Sequence, residues 1–457
     1  MAEHNVTVES TLKALLDEKK YPTLKDILVT MNPSDIAAVF EELDEERTPL
    51  LFRLLPKELA AETFVEMEPE LQELLIKGFS DSELKAVVQE LYVDDAADLV
   101  EEMPANVVKR ILAQTDPQMR KEINEILRYP ENSAGSIMTT EYVGLRPDMT
   151  VEESIARIRK TGIDKETIYI CYVTKNRKLV GFVTVKDLLL AGDDSTKISD
   201  IMDTNVISCG TLTDQEEAAQ MLSKYNFLAL PVVDNEGRLV GIVTFDDIMD
   251  VMEEEVTEDI EKMAAIVPSD KTYLRSTPWD LFKHRIPWLL LLMVSATFTG
   301  LIITKFEDAL AAQVVLTAFI PMLMDTGGNS GSQSSVTVIR SLSLDELEFG
   351  DLASVIWKEI GTAVLCGTVL SLACFGKIML IDRLLLGNTE VTVVVALAVC
   401  LTMALTVLVA KVIGCTLPMV AKKIGFDPAV MASPFITTIV DALSLLVYFM
   451  IANALLF

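Results

Sequence analysis

Pro321-Met-Leu-Met-Asp325-Thr-Gly-Gly-Asn329-Ser-Gly-Ser-Gln333-Ser-Ser-Val-Thr-Val-Ile-Arg340 closes the second of five apolar runs in the last third of the chain. These runs, at 286–304, 309–339, 352–381, 391–417 and 429–457, are each long enough for a bilayer, which needs about 20 helical residues. They predict a five-helix α-helical transmembrane domain. Hydrophobicity explains insertion but not the quoted stretch. Gly327, Gly328 and Gly331 permit close helix contact or a kink, and Asn329, Gln333, Ser334 and Ser335 carry groups that hydrocarbon does not tolerate unless they meet protein or water. A small-residue packing seam with polar glue and a pore lining both fit this pattern, and the density of polar groups favours the pore.

The last run repeats the anomaly. Pro434, Thr437, Thr438, Asp441 and Ser444 recur at helical spacing and draw one polar stripe along an apolar helix. An ionised aspartate at mid-membrane costs about 2.5–3.5 kcal/mol on insertion scales, which marks Asp441 as a cation ligand or as half of an ion pair. No Lys or Arg shares its stripe, although Arg340 from the second run is a candidate countercharge. A hard dication such as magnesium suits the site, because it takes oxygen ligands and keeps several of its waters. Calcium, manganese and cobalt fit the same chemistry. Lys283 and Arg285 before the first run and Lys422 and Lys423 before the last predict a cytosolic N-terminus and an outside C-terminus in a multi-pass cell-membrane protein.

The 457 residues carry a formal charge of −29 with a mean hydropathy of +0.36. From residue 286 onward there are 12 Asp/Glu against 8 Lys/Arg, so the first 285 residues hold −25 of the total. Such a balance disfavours nucleic acid and anionic lipid and favours cations. His4 and His284 are the only histidines, and Cys171, Cys209, Cys366, Cys374, Cys400 and Cys415 form no C-x-x-C pair, which removes zinc and redox chemistry from the expectations. The first 20 residues lack an apolar signal segment, so the acidic part is expected in the cytosol. Nothing in the chain points to an enzyme.

Residues 137–252 hold an internal repeat. Met138-Thr-Thr-Glu-Tyr-Val, Thr150-Val-Glu-Glu-Ser and Val180-Gly-Phe-Val-Thr184-Val-Lys-Asp187 are answered by Met202-Asp-Thr-Asn-Val, Thr213-Asp-Gln-Glu-Glu and Val240-Gly-Ile-Val-Thr244-Phe-Asp-Asp247. Each copy alternates short β-branched strands with amphipathic helices and is too small to bury a good core alone, so the two should pack as one α+β unit. The pattern resembles a tandem cystathionine-β-synthase (CBS) pair. That resemblance implies an adenine nucleotide such as ATP as a candidate cofactor, with Thr244, Asp247 and Phe227 of the second copy as its site and Thr184 and Asp187 in the matching place of the first. The same Thr and Asp equally suit a helix cap, and both readings stand.

Residues 1–130 read as an all-α superhelical array. Helix starts at Asn32-Pro33, Leu55-Pro56, Phe79-Ser80 and Met103-Pro104 recur at a spacing near 24, with interleaved starts at Asp44, Glu68-Pro69, Asp94 and Asp116-Pro117. Asp94 and Asp98 share a helix face. From Asp246 to Glu261 the chain becomes a dense acidic helix that repels itself unless cations bridge it.

This assembly covers essentially the whole chain and resembles the MgtE family of magnesium channels, through Thr326-Gly-Gly-Asn329-Ser-Gly-Ser-Gln333-Ser, Glu255-Val-Thr-Glu258-Asp259-Ile and Asp427-Pro-Ala with Ser433-Pro434 and Asp441. The resemblance implies a multidomain membrane protein with an array at 1–130, CBS motifs at 131–200 and 201–252, an acidic connecting or plug helix at 253–280 and a pore domain at 281–457. It implies a homodimer around one pore, with magnesium both carried into the cytosol and acting as the signal that closes the pore. It assigns Asp441 and the Thr437 carbonyl to the pore ion and Asp427 to the cytosolic mouth. Regulatory magnesium is implied at Asp94, Asp98, Asp214, Glu216, Asp247, Asp250, Glu255, Glu258 and Asp259, while Asn226 stands where relatives can carry an acid. Asp325 has no role in the pattern. A proton- or sodium-coupled transporter and a membrane-anchored nucleotide sensor are the competing classes.

Overall fold

The computed structural model describes residues 2–44, 46–269, 273 and 276–456. The chain forms two compact units, Met1–Met252 and Glu253–Phe457. The connecting segment expected at 253–280 therefore lies partly outside the described residues.

The first unit begins with ten helices: α1 (Ala2–Asp17), α2 (Tyr21–Leu28), α3 (Pro33–Glu41), α4 (Thr48–Phe52), α5 (Lys57–Val65), α6 (Pro69–Gly78), α7 (Asp81–Val88), α8 (Val93–Glu102), α9 (Ala105–Gln114) and α10 (Pro117–Ile126). Helices α3, α5, α7 and α9 begin 24 residues apart, as do α6, α8 and α10. The repeat in the sequence is thus the repeat of a helical pair. Neighbours in the first series pack on one another, α3 on α5, α5 on α7 and α7 on α9, and α8 packs on α10. Local chemistry fixes the starts: Ser80 and Glu83 close a capping box on α7, and Asp116 accepts from the Gln118 and Met119 amides at the start of α10. Helix α4 begins at Thr48 rather than at the expected Asp44, with Pro49 in its first turn. One continuous core, with Phe40, Phe64, Leu75, Val88 and Ile111 fully or nearly fully buried, runs through the array.

Two matching three-stranded sheets follow. The first consists of β1 (Tyr142–Leu145), β2 (Thr167–Lys175) and β3 (Lys178–Thr184), with helices α11 (Val151–Thr161), α12 (Val185–Leu189) and α13 (Ile198–Ile201). The second has β4 (Cys209–Gly210), β5 (Ala229–Val233) and β6 (Leu239–Thr244), with α14 (Gln215–Tyr225) and then α15 (Phe245–Met263). In each sheet the first pairing is parallel and the second antiparallel. The copies complete each other at their glycines. A Cβ on Gly181 would lie 2.8 Å from the Asp203 carbonyl, and one on Gly241 would lie 2.7 Å from the Thr139 carbonyl. The opening segment of each copy therefore crosses the other copy's G-x-V-T strand at a distance only glycine allows.

The second unit contains α16 (Pro278–Lys305), α17 (Glu307–Ala312), α18 (Ile320–Ser343), α19 (Leu352–Lys377), α20 (Val393–Lys423) and α21 (Ser433–Leu456). Four stretches among the described residues are long and apolar enough to cross a membrane: Pro278–Lys305, Phe349–Leu385, Val393–Lys423 and Pro428–Leu456. The fifth expected span, α18, has the length at 24 residues, but its polar stretch makes it less apolar than these four. Helix α20 is the hub, packing on α18, α19 and α21.

Candidate functional site

Helix α18 is unbroken, so the glycines do not kink it, and its two faces divide the labour. Gly327, Gly328 and Gly331 point into the bundle. A Cβ there would meet Thr406 at 2.6 Å, Thr437 at 2.9 Å or Ile436 at 2.8 Å, and the Gly414 backbone of α20 lies directly against Gly331. These are close-packing glycines. Ser334 and Ser335 share that buried face, Ser335 donating to the Met431 carbonyl at 3.3 Å. The opposite face carries Asp325, Asn329, Gln333, Thr337 and Arg340, all exposed in the single chain. The packing-seam reading therefore holds for one side of the helix, while the other side leaves its polar groups uncovered in the single chain.

Thr437, Asp441 and Ser444 of α21 lie beside α18. Thr437 packs on Gly328, Ser444 on Gly327, and the Asp325 and Asp441 carboxylates are close enough to repel each other. The Asn329 amide donates to Asp325 at 3.1 Å. Arg340, expected as a countercharge to Asp441, is instead about 22 Å further along α18 than Asp325. The chain thus places two carboxylates and an amide beside Thr437, with no base among the described groups that act on Asp441. Sequence reading found Asp441 and Thr437 from helical spacing but had no pattern for Asp325.

It also missed the ion pair nearby. Lys411 of α20 is 5% exposed, with its ammonium 3.7 Å from Glu359 of α19 and donating to Ser334 of α18 at 3.2 Å. Ser334 donates in turn to Glu359 at 2.6 Å. This triad ties three helices together. A charge among apolar residues at 411 was the available signal.

At one end of the bundle, the acidic helix makes specific contacts. Ser343 donates to Asp259 at 3.2 Å, and Lys262 bridges Glu258 at 2.6 Å and Asp427 at 2.7 Å. Burial, and next the charge of Asp427, raises the Asp259 carboxyl above its usual range. Burial works against the Lys262 ammonium, yet its bonds to Asp427 and Glu258 hold it above its usual value. Asp427 also accepts from the Ala429 amide at 2.8 Å. Glu255 is half-buried on the same helix.

In the first unit, acids gather where α8 meets the CBS pair. Asp94 is 5% exposed, and its Oδ1 has no hydrogen-bond partner. Oxygens of Asp94, Glu141 and Glu166 all lie within 4.8 Å of one another. Burial first, then Asp247 and other acids, pushes Asp95 up to about 7 and Glu166 up to about 8, and raises Asp94 and Asp98 in the same direction. Asp247 is pushed up to about 6, chiefly by burial. Asp94, Asp98 and Asp247, named from sequence, are brought together here, whereas Glu141 and Glu166 were not foreseen. Asp250 is exposed one turn beyond Asp247. Asp214 caps α14 by accepting from the Glu216 amide at 2.9 Å, and Glu216 accepts from Gln220 at 3.3 Å.

Both T-x-x-D endings pair their Thr with their Asp at the start of a helix. Thr184 and Asp187 make a full capping box, and Thr244 donates to Asp247 at 2.5 Å. Their surroundings differ: Thr244 is 3% exposed and Asp247 faces the acidic seam, while Asp187 is open to solvent near exposed Leu189 and Leu190. Phe227 stacks on Tyr225 at 5.5 Å and packs against the core of the second copy.

Comparison with known proteins gives matches along most of the chain. Residues 31–132 match the MgtE intracellular N domain, 134–194 and 198–254 match the CBS domain, and 320–451 match the divalent cation transporter domain of MgtE. The magnesium transporter MgtE of Thermus thermophilus is 37% identical over 98% of both chains, and that of Bacillus subtilis is 33% identical over 96% of this chain and 95% of the relative. A crystal structure of the cytosolic domain of the Mg2+ channel MgtE in complex with ATP is 39% identical, with a TM-score of 0.51, over 53% of this chain and 99% of that one. A soluble part of a magnesium transporter gives 30% identity and the same TM-score over 56% and 99%.

Proposed function

Because the chain belongs to the MgtE family of magnesium transporters, we propose that it is a magnesium-selective channel that carries Mg2+ into the cytosol and is closed by cytosolic Mg2+. The observation that carries this reading is the exposed polar face of α18 beside Asp441. In hydrocarbon every unsatisfied polar group costs several kcal/mol, so Asp325, Asn329 and Gln333 must face water or protein. A second copy of the chain across a water-filled path supplies both, which supports a homodimer. Asp441 and the Thr437 carbonyl hold the hydrated ion in this path, and Asp325 adds a second carboxylate. A largely hydrated ion is what two or three oxygen ligands can manage, since Mg2+ releases its waters reluctantly.

Closure follows from the acids outside the membrane. In the first unit, Asp94, Asp98 and Asp247 repel one another when no cation is present; Mg2+ draws them together. Glu255, Glu258 and Asp259 on α15, with Asp427 at the cytosolic mouth, act as the plug end of the same response, and Asp214, Glu216 and Asp250 are further regulatory ligands. The N-terminus is cytosolic in this arrangement. An adenine nucleotide belongs to the CBS pair. Thr244, Asp247 and Phe227 form its expected site, but the open Thr184–Asp187 ending is the better host, because Asp247 is committed to the acidic seam.

The test is Mg2+ flux into liposomes containing purified Asp441→Asn protein. Flux at least about tenfold below wild type, equivalent to about 1.4 kcal/mol, is expected. Wild-type flux in correctly folded variant sinks the pore assignment. Flux that tracks an imposed proton gradient instead of the Mg2+ gradient replaces the channel with a coupled transporter.

A further inference from the structure

Small residues bring α19 and α20 close together along their shared face. A Cβ on Gly367 of α19 would lie 3.4 Å from the Ala404 Cα of α20, and one turn further on Ser371 donates to the Cys400 carbonyl at 2.9 Å. Residue 367 thus faces 404 and residue 371 faces 400, so the two helices run antiparallel in a fixed register. Cys374 follows Ser371 on the same face of α19, one turn on. Side chains on a helix tilt towards its N-terminus. In this antiparallel pair that tilt leans the Cys374 thiol back towards Cys400 and the Cys400 thiol towards Cys374.

The two free thiols come near enough to act on each other. They share one apolar cluster, where Cys374 is 6% exposed and Cys400 is 8% exposed. A buried cysteine alone serves as a small hydrophobe. Cys415 is of that kind, its thiol donating to the Val412 carbonyl of its own helix at 3.2 Å. Cys374 and Cys400 differ in having each other, which no C-x-x-C spacing announces. They also lie towards a polar end of the bundle, where Lys377, one turn beyond Cys374, pairs with Asp382 at 2.8 Å. On the topology proposed above this end faces outside the cell, where disulfides persist.

We propose that Cys374 and Cys400 form a redox-active pair that closes into a disulfide when a small peroxide reaches it, stapling α19 to the hub helix α20. One thiol, as its thiolate, takes an oxygen from hydrogen peroxide to become a sulfenic acid, and the displaced hydroxide leaves as water with the proton the thiol lost. The second thiol attacks the sulfenic sulfur, forming the S–S bond and releasing a second water. Two thiols together lose two electrons and two protons, and one peroxide becomes two waters. The new bond closes residues 375–399 into a loop, which restrains the unfolded chain. Only the compartment rests on the proposed topology.

The test treats full-length protein in detergent with hydrogen peroxide, denatures it in excess N-ethylmaleimide and weighs the intact chain. Reduced wild type, with six cysteines, takes six maleimides. Oxidised wild type is expected to take four and to recover six after dithiothreitol, with peptide mapping joining residue 374 to residue 400. It should also melt higher than the reduced protein, a shift lost in Cys374→Ala and Cys400→Ala and kept in Cys366→Ala. Six maleimides after peroxide, a bond between other cysteines, oxidation that stops at one thiol, or oxidised protein that melts no higher each overturns the proposal. Because the protein is in detergent, the bond is decided apart from the topology, which impermeant labelling of the C-terminus in whole cells decides alone.

Discussion

Asp325 sits one turn before Asn329 on the open face of α18, near enough to Asp441 for the two charges to be felt. Asp441 is fixed on the helix whose other polar groups, Thr437 and Ser444, are packed against glycines, so it cannot turn away to bulk water without disturbing the bundle. Asp325 has a softer tether, a single amide donor. It should therefore tune attraction of the ion rather than hold it. Asp325→Asn is expected to raise the external Mg2+ needed for half-maximal flux roughly threefold to tenfold, about 0.7–1.4 kcal/mol, with flux at saturation largely kept. Concentration-dependent uptake in liposomes measures this, and an unchanged curve removes Asp325 from the path.

Helices α18, α19 and α20 are joined by the Ser334–Glu359–Lys411 triad, and the worth of a buried ion pair lies mostly in what breaking it leaves behind. Lys411→Met leaves Glu359 buried beside a hydroxyl alone, at a cost of about 3–5 kcal/mol. The double variant Lys411→Met with Glu359→Gln should recover most of the lost melting temperature in detergent; equal losses in single and double variants would show that the two residues act independently. The CBS elements make a parallel case. By calorimetry on the full chain, Asp187→Asn should weaken ATP binding at least about tenfold, or 1.4 kcal/mol, while Asp247→Asn should chiefly weaken Mg2+ binding. The opposite ranking returns the nucleotide to the second copy. At this scale the sequence was readable where a period was involved, the shifted start of α4 apart. The 24-residue recurrence, the two G-x-V-T-x-x-D endings and the glycines of 327–331 each mark an element that folds as its spacing says. Lys411 with Glu359, and Glu141 with Glu166, were hidden because their partners are set by helix packing and strand register between distant segments, which no local spacing records.

Taken whole, the first unit stores repulsion. Asp95, Glu166 and Asp247 have folded values raised to about 7, about 8 and about 6, with Asp94 and Asp98 raised alongside them. A carboxyl whose folded value is raised keeps its proton longer when folded, so the native state binds more protons than the unfolded one between about pH 4 and pH 8. Stability is therefore fullest below that window and falls as pH rises through it. In chelator, protease protection of residues 1–252 in the full chain should decline from pH 5.5 to pH 8. Millimolar Mg2+ should flatten the decline, since cations replace the protons the seam would otherwise need. Protection that is independent of pH in chelator would mean the acids are solvated rather than confined.

The crossing of the two CBS copies at Gly181 and Gly241 has a consequence in time. During synthesis the opening segment around Thr139 must wait for its glycine to emerge about 100 residues later, which at about 5–20 residues per second is roughly 5–20 s. For that interval the first copy lacks Ala229, Leu239 and Ile242, the second-copy residues against which Tyr172 and Phe182 pack in the finished protein. That exposure falls at a stage when the chain's membrane helices have not yet been made.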